Sequence, residues 1–501
     1  MPESGQRARS AATGAFAVLG AACALLPAVA MWGFTVDDAL IPVRYAHNLA
    51  TGFGYRFDAH GASTDGVTPL PWALLLAPLS GGDALVALVR AKVLGVVAWT
   101  GAATALGARV GGMVRGRRHG VLCAAALVVM GLSFPLGAWA ASGMETGLAM
   151  GIATLAATRV GCGRAPGRRW WWAAALAGLA GAFRPEMVVW AIVVGSGNAS
   201  ASASESEGGA RRAWMPLRRG LIGATIAMGP FVACAAVRMV MFGRPAPLAV
   251  LAKPSDLAHG AMYVGAAAIV VLTPLLVVAP VALLRGQGQA PELRVARVLV
   301  GAFIAHALAV MAAGGDWMPY ARLMVPVAPS LVIAFAAIAR SGRPAVSAAR
   351  LAAAFVLGAL LAVRAAPPGR GVQADRADLI TRARPVLGEA HVVAALDIGW
   401  VGASTDAAIV DLAGLTDPAI ALLPGGHTSK RVDTAMLLDR GVDTVVVYSD
   451  IRAVEARIVR SELFASRFEA VTTLPLGTRG ASYTVYRRRA PPPPPPWLPP
   501  P

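Results

Sequence analysis

The chain has 501 residues, 56% of them hydrophobic and 14% charged, and its mean hydropathy is +0.60. That composition excludes an ordinary soluble protein and predicts a polytopic α-helical membrane protein. A net charge of +18 would suggest a nucleic-acid partner in a soluble chain. Here most arginines stand in short loops between apolar runs, where they set orientation in a bilayer, so no nucleic-acid partner is expected.

Residues 1–10 are short and basic, which places them in the cytoplasm. The apolar run from Ala11 to Trp32 exceeds the roughly 7–15 residues of a signal-peptide core, so it reads as an uncleaved anchor. It leads into an outer loop, residues 34–72, that is too polar and Gly-rich for lipid and carries Asp37, Asp38, Arg44, Tyr45 and Asn48. Ala39 to Ala50 has helical character with Leu40, Val43 and His47 on one side, which predicts a helix lying on the membrane surface. Gly52, Gly54 and Gly61 break that pattern, and Pro69–Leu79 is short enough to be re-entrant or interfacial.

Further crossings are predicted at Leu85–Leu106, His119–Ala140 and Gly147–Thr158. A hairpin of short helices follows, Ala173–Phe183 and Met187–Gly195, interrupted by Arg184-Pro185-Glu186. Asn198 to Gly209 is Ser/Ala/Gly-rich and reads as a flexible loop. The remaining crossings are Leu221–Met241, Ala261–Leu284, Val295–Ala313, Leu323–Ile338 and Leu351–Ala365, which makes eleven within a membrane domain at 11–368. Inside segments then hold 20 arginines, against six Arg or Lys in the outer loops, so the N-terminus is inside and everything after residue 368 is outside. From 369 to 489 the short β-branched runs HVVAALDIGWVG, AAIVDLAGL and TVVVYS alternate with helical stretches at Val432–Arg440 and Ala453–Phe464, predicting an extracytoplasmic α/β domain. Residues 490–501 form a proline-rich tail of polyproline II character.

The polar residues that interrupt the apolar pattern fall on the outer side: Asp37, Asp38, Arg44, Glu145, Arg184, Glu186, Lys253, Asp316 and Arg322. Acids and bases gathered at one face predict an outward-facing polar cavity. Asp37 and Asp38 suit a general base and its orienting acid, since transfer to a hydroxyl needs a carboxylate to accept the proton. The competing reading is that one of them caps the following helix. Arg184, Lys253 and Arg322 suit an anionic leaving group such as a lipid phosphate. The competing reading is structural ion pairing of Arg184 with Glu186 and of Arg322 with Asp316. Two adjacent acids permit a divalent cation without requiring one. The cysteines (Cys23, Cys123, Cys162, Cys234) and the histidines (His60, His259, His306) show no metal-ligand spacing and read as ordinary residues.

Several outer-loop motifs resemble one family. DDALIPVRYAHNLATGFGYRFD with the later TPLPW resembles the first outer loop of the mycobacterial and corynebacterial terminal arabinofuranosyltransferases, members of the GT-C glycosyltransferase superfamily. SGMET (142–146), FRPE (183–186), FGRPAPLAVLAK (242–253) and GGDWMPYARLMVP (314–326) resemble the later loops, and DIGWVG and VDLAGLTDPAIA (410–421) resemble the soluble domain. The resemblance implies a GT-C-like fold, an inverting reaction, a polyprenyl-phosphate sugar donor and a cell-envelope glycan, glycolipid or protein as acceptor. It implies that Asp37 and Asp38 are the acidic catalytic pair. Donor or substrate contacts then fall to Arg44, Tyr45, Asn48, Glu145, Arg184, Glu186, Lys253, Asp316 and Arg322. The chain departs from the family at Gly61 to Gly66, where an acidic pair is usual, and at Thr68-Pro69-Leu70-Pro71-Trp72, where Thr-Asn-Pro-Leu-Trp is usual.

The leading expectation is therefore a membrane glycosyltransferase of a bacterial inner membrane, with arabinofuranose as one candidate sugar. A transporter or flippase of lipid-linked saccharides is the alternative, and it predicts charges deep within the helices. Arg90, Lys92 and Arg238 are the residues that would fit that alternative. A third reading is an inactive scaffold whose soluble domain binds glycan.

Overall fold

The computed structural model describes residues 2–161, 170–204, 214–253, 255–271, 291–477 and 480–489. Cys162, the arginine loop at 162–169, the Ser-rich loop from 205, the far half of the expected Ala261–Leu284 helix and the proline-rich tail lie outside the described residues. The chain divides into two compact units. One comprises Met1–Ala46, Val67–Ala246 and Ser255–Gln373; the other comprises His47–Gly66, Pro247–Pro254 and Ala374–Pro501. The expected outer loop is thus split, because its central part, residues 47–66, belongs with the C-terminal unit.

The helices are, in chain order, α1 (Pro2–Ala30), α2 (Leu40–Ala50), α3 (Leu70–Leu76), α4 (Ala84–Met113), α5 (Gly116–Leu132), α6 (Phe134–Ala140), α7 (Thr146–Arg159) and α8 (Trp170–Phe183). They continue as α9 (Val188–Ser204), α10 (Trp214–Phe242), α11 (Leu248–Ala252), α12 (Leu257–Val270), α13 (Pro291–Ala312), α14 (Ser330–Ser341), α15 (Pro344–Arg364) and α16 (Val372–Leu387). Five of these are long and apolar enough to cross a membrane: α1 from Ser10, α4, α10, α13 from Leu293, and α15. Six qualify if α5 and α6, bent by 58° at Ser133, form one span. Eleven crossings were expected. The other apolar helices α7, α8, α9, α12 and α14 have only 12 to 17 residues in the described chain. At about 1.5 Å per residue they reach less than the roughly 30 Å hydrocarbon thickness. The stretch expected to begin a helix at Leu323 instead makes a single 3₁₀ turn at Val325–Val327 before α14 starts. Helix α9 runs on to Ser204, through part of the expected flexible loop.

In the helical unit, α1 packs tightly on α4 because glycine lets their backbones touch. A Cβ at Gly107 would lie 2.0 Å from the Phe16 carbonyl oxygen, and one at Gly111 would lie 2.8 Å from Phe16 Cβ. This is a GxxxG contact, which gains dispersion energy where lipid removes the hydrophobic driving force between helices. Outward-facing apolar residues such as Leu26 and Val29 on α1, and Leu221 and Val240 on α10, suit contact with lipid. Helix α2 differs from the expected surface helix. Leu40, Ile41, Val43, Tyr45 and Ala46 are all buried, and only His47 on the predicted face is exposed. A helix apolar almost all round is buried in protein rather than laid on an interface.

The C-terminal unit is a five-stranded sheet, β1 (Val392–Ala395), β2 (Ala408–Asp411), β3 (Thr444–Tyr448), β4 (Phe468–Leu476) and β5 (Ala481–Arg488), in the order β2-β1-β3-β5-β4. The three expected β-branched runs became β1, β2 and β3, which pair in parallel, and their near-continuous burial matches a sheet covered on both faces. The β4–β5 hairpin is antiparallel and adds to β3. Five short helices connect the strands: α17 (Ile398–Gly402), α18 (Pro418–Ala421), α19 (Thr434–Asp439), α20 (Ala453–Val459) and α21 (Glu462–Arg467). The expected Ala453–Phe464 helix breaks in two because Ser461 caps α21, accepting from the Phe464 N–H at 3.1 Å. Asp411, at the end of β2, is fully buried. Burial pushes its carboxyl up to about 6, against hydrogen bonds from the Thr416 and Ala413 N–H groups that favour the charge.

Within this unit the segment 47–66 covers the edge of the sheet. The Asp58 carboxylate accepts from the Ile409 N–H on edge strand β2 at 3.2 Å. Leu248, which opens α11, donates to the Asp65 carbonyl at 3.3 Å. An open strand edge is a template for unwanted pairing, and covering it removes that hazard.

Candidate active site

The helical unit draws the segments after α1, α6, α8 and α13 together at one end. Thr35 Oγ1 donates to the Ser142 carbonyl at 2.8 Å, which joins the Asp37–Asp38 segment to the SGMET loop. The Phe34 ring lies 5.2 Å from both the Trp139 and Tyr320 rings, and Trp139 Nε1 donates to the Tyr320 carbonyl at 3.1 Å. The loop from Gly314 to Leu323 is wound tightly: Tyr320 (φ 60°) and Ala321 (φ 55°) hold the left-handed conformation that non-glycine residues rarely adopt. Strain of this kind persists only where surrounding contacts enforce it, and it gathers at functional loops.

Asp37 and Asp38 form the first two residues of a 3₁₀ turn, Asp37–Ala39, that leads directly into α2. Both are half-buried. The capping position is Val36, with no side-chain cap, so neither aspartate serves as the N-cap of this turn. Among the described residues, Asp38 has no hydrogen-bond or ion-pair partner in the protein. Arg44 is half-buried and Tyr45 fully buried on α2.

Glu145, Arg184, Glu186, Asp316 and Arg322 form a buried ionic cluster. Arg184, 4% exposed, donates through Nη1 to Glu145 Oε1 at 2.5 Å and through Nε to Glu186 Oε1 at 2.6 Å. Arg322 Nε donates to Asp316 Oδ2 at 2.7 Å, and its guanidinium lies 5.8 Å from the centre of the Trp139 ring. The ion pairs weighed against phosphate binding are therefore the ones the protein makes. Three carboxylates face two guanidinium groups, so the cluster is formally anionic, and neither arginine is free to attract a phosphate. Glu145 Oε2 and Thr146 Oγ1, adjacent and fully buried, have no hydrogen-bond partner among the described residues.

Sequence reasoning missed two members of this assembly. His306, read as an ordinary polar residue, is fully buried on α13, with Nε2 2.8 Å from the Leu323 carbonyl and Nδ1 3.2 Å from the Glu186 carbonyl. Tyr263 on α12 accepts from the Leu323 N–H at 2.9 Å. Both sit singly inside apolar runs, and the only signal was a polar residue in an otherwise apolar helix.

Asn48 and Lys253 lie in the other unit. Asn48 Nδ2 donates to the Arg56 and Phe57 carbonyls at 3.0 and 2.9 Å, which makes it a staple for the Gly-rich turn. Lys253 is half-buried and has no carboxylate or hydrogen-bond partner among the described residues. Arg244, in the helical unit, is equally unpaired and was not singled out from sequence. Among the described residues no three His, Cys, Asp or Glu side chains gather as a metal site.

The charged residues within helices serve the loops. Arg90 Nη1 donates to the Leu79 and Gly81 carbonyls at 2.8 Å each. Arg238 donates to the Thr68 carbonyl, and Lys92 to the carbonyls of Trp32 and Phe34.

Residues 373–486 match a family described as a domain of unknown function, DUF8728. The match falls within the predicted C-terminal domain and leaves the helical unit uncovered. No curated protein matches the chain.

Proposed function

We propose that the protein is a GT-C-type membrane glycosyltransferase that moves a sugar from a polyprenyl-phosphate donor to a cell-envelope acceptor. The observation that carries this reading is Asp38: a half-buried carboxylate with no partner among the described residues, on a segment pinned to the loops that hold the ionic cluster. A carboxylate left unneutralised at such a site is ready to take the acceptor hydroxyl's proton as the new C–O bond forms. Asp37 acts beside it as the orienting acid. The anionic cluster of Glu145, Arg184, Glu186, Asp316 and Arg322 shapes the site and favours hydroxyl-rich over phosphate ligands. The donor phosphate falls to a cation without a carboxylate partner among the described residues, for which Arg244, in the same unit as Asp38, is the candidate.

The arginine bias supports an inner-membrane protein with its N-terminus inside and its C-terminal domain outside. Arg90, Lys92 and Arg238 each donate to loop carbonyls, an arrangement that favours the transferase reading over a transporter.

The test is transfer from radiolabelled polyprenyl-phosphate pentose and hexose donors to an envelope-glycan extract by purified protein, wild type against Asp37→Asn and Asp38→Asn. Loss of transfer by at least about 100-fold in Asp38→Asn, with folding intact, is the expected result. Full transfer in both variants refutes the acid-pair mechanism.

A further inference from the structure

Lys92, the ninth residue of the 30-residue, membrane-length helix α4, is fully buried, with no acidic partner among the described residues. Its Nζ faces three oxygens: the Trp32 carbonyl, the Phe34 carbonyl at 3.1 Å and Gln373 Oε1. It also sits 5.1 Å from the centre of the Trp32 ring. Three acceptors and no donor match the three N–H groups of an ammonium; a neutral amine would turn a lone pair toward an oxygen. A buried cation of this kind is costly unless its contacts are well made.

The carbonyls involved follow the end of α1, where no helix satisfies them. The three in sequence are each engaged: Trp32 and Phe34 by Lys92, and Gly33 by the Gln373 N–H at 2.9 Å. The next residue, Thr35, is tied to Ser142. The fit at Gly33 is close enough that a Cβ there would meet the Arg370 carbonyl oxygen at 1.8 Å. Two residues after Thr35 come Asp37 and Asp38.

We propose that Lys92 is a positioning residue that fixes the backbone of residues 32–35 and so sets where the Asp37–Asp38 turn stands. The proposal rests on the transferase reading above. A lysine kept only to solubilise a helix end would sit at the interface with its charge in water; this one is spent on two carbonyls of one loop and on Gln373 Oε1.

The test uses full-length protein in detergent and compares wild type, Lys92→Met, Lys92→Arg, Gln373→Ala and Asp38→Asn. It measures amide hydrogen exchange of residues 32–39 and steady-state transfer from a polyprenyl-phosphate sugar donor. In Lys92→Met, exchange across 32–39 rises by at least about tenfold. There kcat falls by about 100-fold while KM for the donor stays within about threefold, because a displaced base slows chemistry without removing binding. Lys92→Arg recovers part of kcat, and Gln373→Ala shows the same pattern more weakly. If Lys92→Met does not fold, Lys92→Arg and Gln373→Ala carry the comparison. Unchanged exchange in a folded Lys92→Met or Gln373→Ala overturns the proposal while leaving the acid pair intact. Raised exchange with unchanged kcat overturns it as well. Wild-type transfer in Asp38→Asn removes the transferase mechanism itself, and the exchange data then show separately whether Lys92 holds the segment.

Discussion

Arg184 is the residue whose loss the helical unit should tolerate least. It is 4% exposed and stands between two carboxylates, Glu145 at 2.5 Å and Glu186 at 2.6 Å. Arg184→Met keeps an unbranched apolar stem but removes the guanidinium, leaving Glu145 buried with neither oxygen paired. Breaking a buried pair by removing one partner costs about 3–5 kcal/mol, because the remaining charge loses its compensation and cannot regain water. Glu186 keeps 15% of its side-chain surface and recovers some hydration, so the expected cost is about 4 kcal/mol rather than the sum of two broken pairs. Adding Glu145→Leu to Arg184→Met removes the stranded charge and should restore at least about 2 kcal/mol. The assay is SDS titration of the purified protein in mixed micelles, followed by tryptophan fluorescence. A single variant within about 1 kcal/mol of wild type, or a double variant no more stable than the single, refutes the account of Arg184 as the buried counter-charge.

Two further predictions concern the C-terminal unit. Folding raises the pKa of Asp411 from 3.8 to about 6, so between those values the folded state holds more protons than the unfolded one. Stability therefore falls as pH rises from about 4 to about 6, by at most about 3 kcal/mol, and stays lower at pH 7. Hydrogen exchange at Val410 and Thr416, corrected for intrinsic rates, should show that slope in wild type and lose it in Asp411→Asn; a flat wild-type profile contradicts it. Asp58→Ala removes the acceptor for the Ile409 N–H and should cost about 1 kcal/mol, with faster exchange at Ile409 and little change at Val446 in the middle of the sheet.

The parts of this architecture legible in the sequence are those written in local pattern. The β-branched runs at 391–402, 407–415 and 444–449 announced β1, β2 and β3, and the apolar runs announced the long helices. The Arg184–Glu186 and Arg322–Asp316 pairs were readable because the partners lie two and six residues apart. The β4–β5 hairpin was not singled out: its exposed alternation and the turn at Gly477 carry a weaker signal than a buried run. Contacts between distant segments left no local trace. Lys92 meets Trp32 and Phe34 about 60 residues back and Gln373 281 residues ahead, and a buried lysine in a helix looks the same whether it lines a path or staples a loop. The hydrogen bonds of Asn48 to the carbonyls of its own turn likewise emerge only in three dimensions.

The covered edge of the sheet bears on the order in which the chain is assembled. Asp58 and its partner Ile409 are 351 residues apart. At roughly 5–20 residues per second, synthesis of that interval takes about 20–70 s. Residues 47–66 are thus made long before the strand they cover, and they wait for β2 to be synthesised. A ribosome that stops short of β2 leaves residues 47–66 without that partner, so truncation at one place alters contacts about 350 residues upstream.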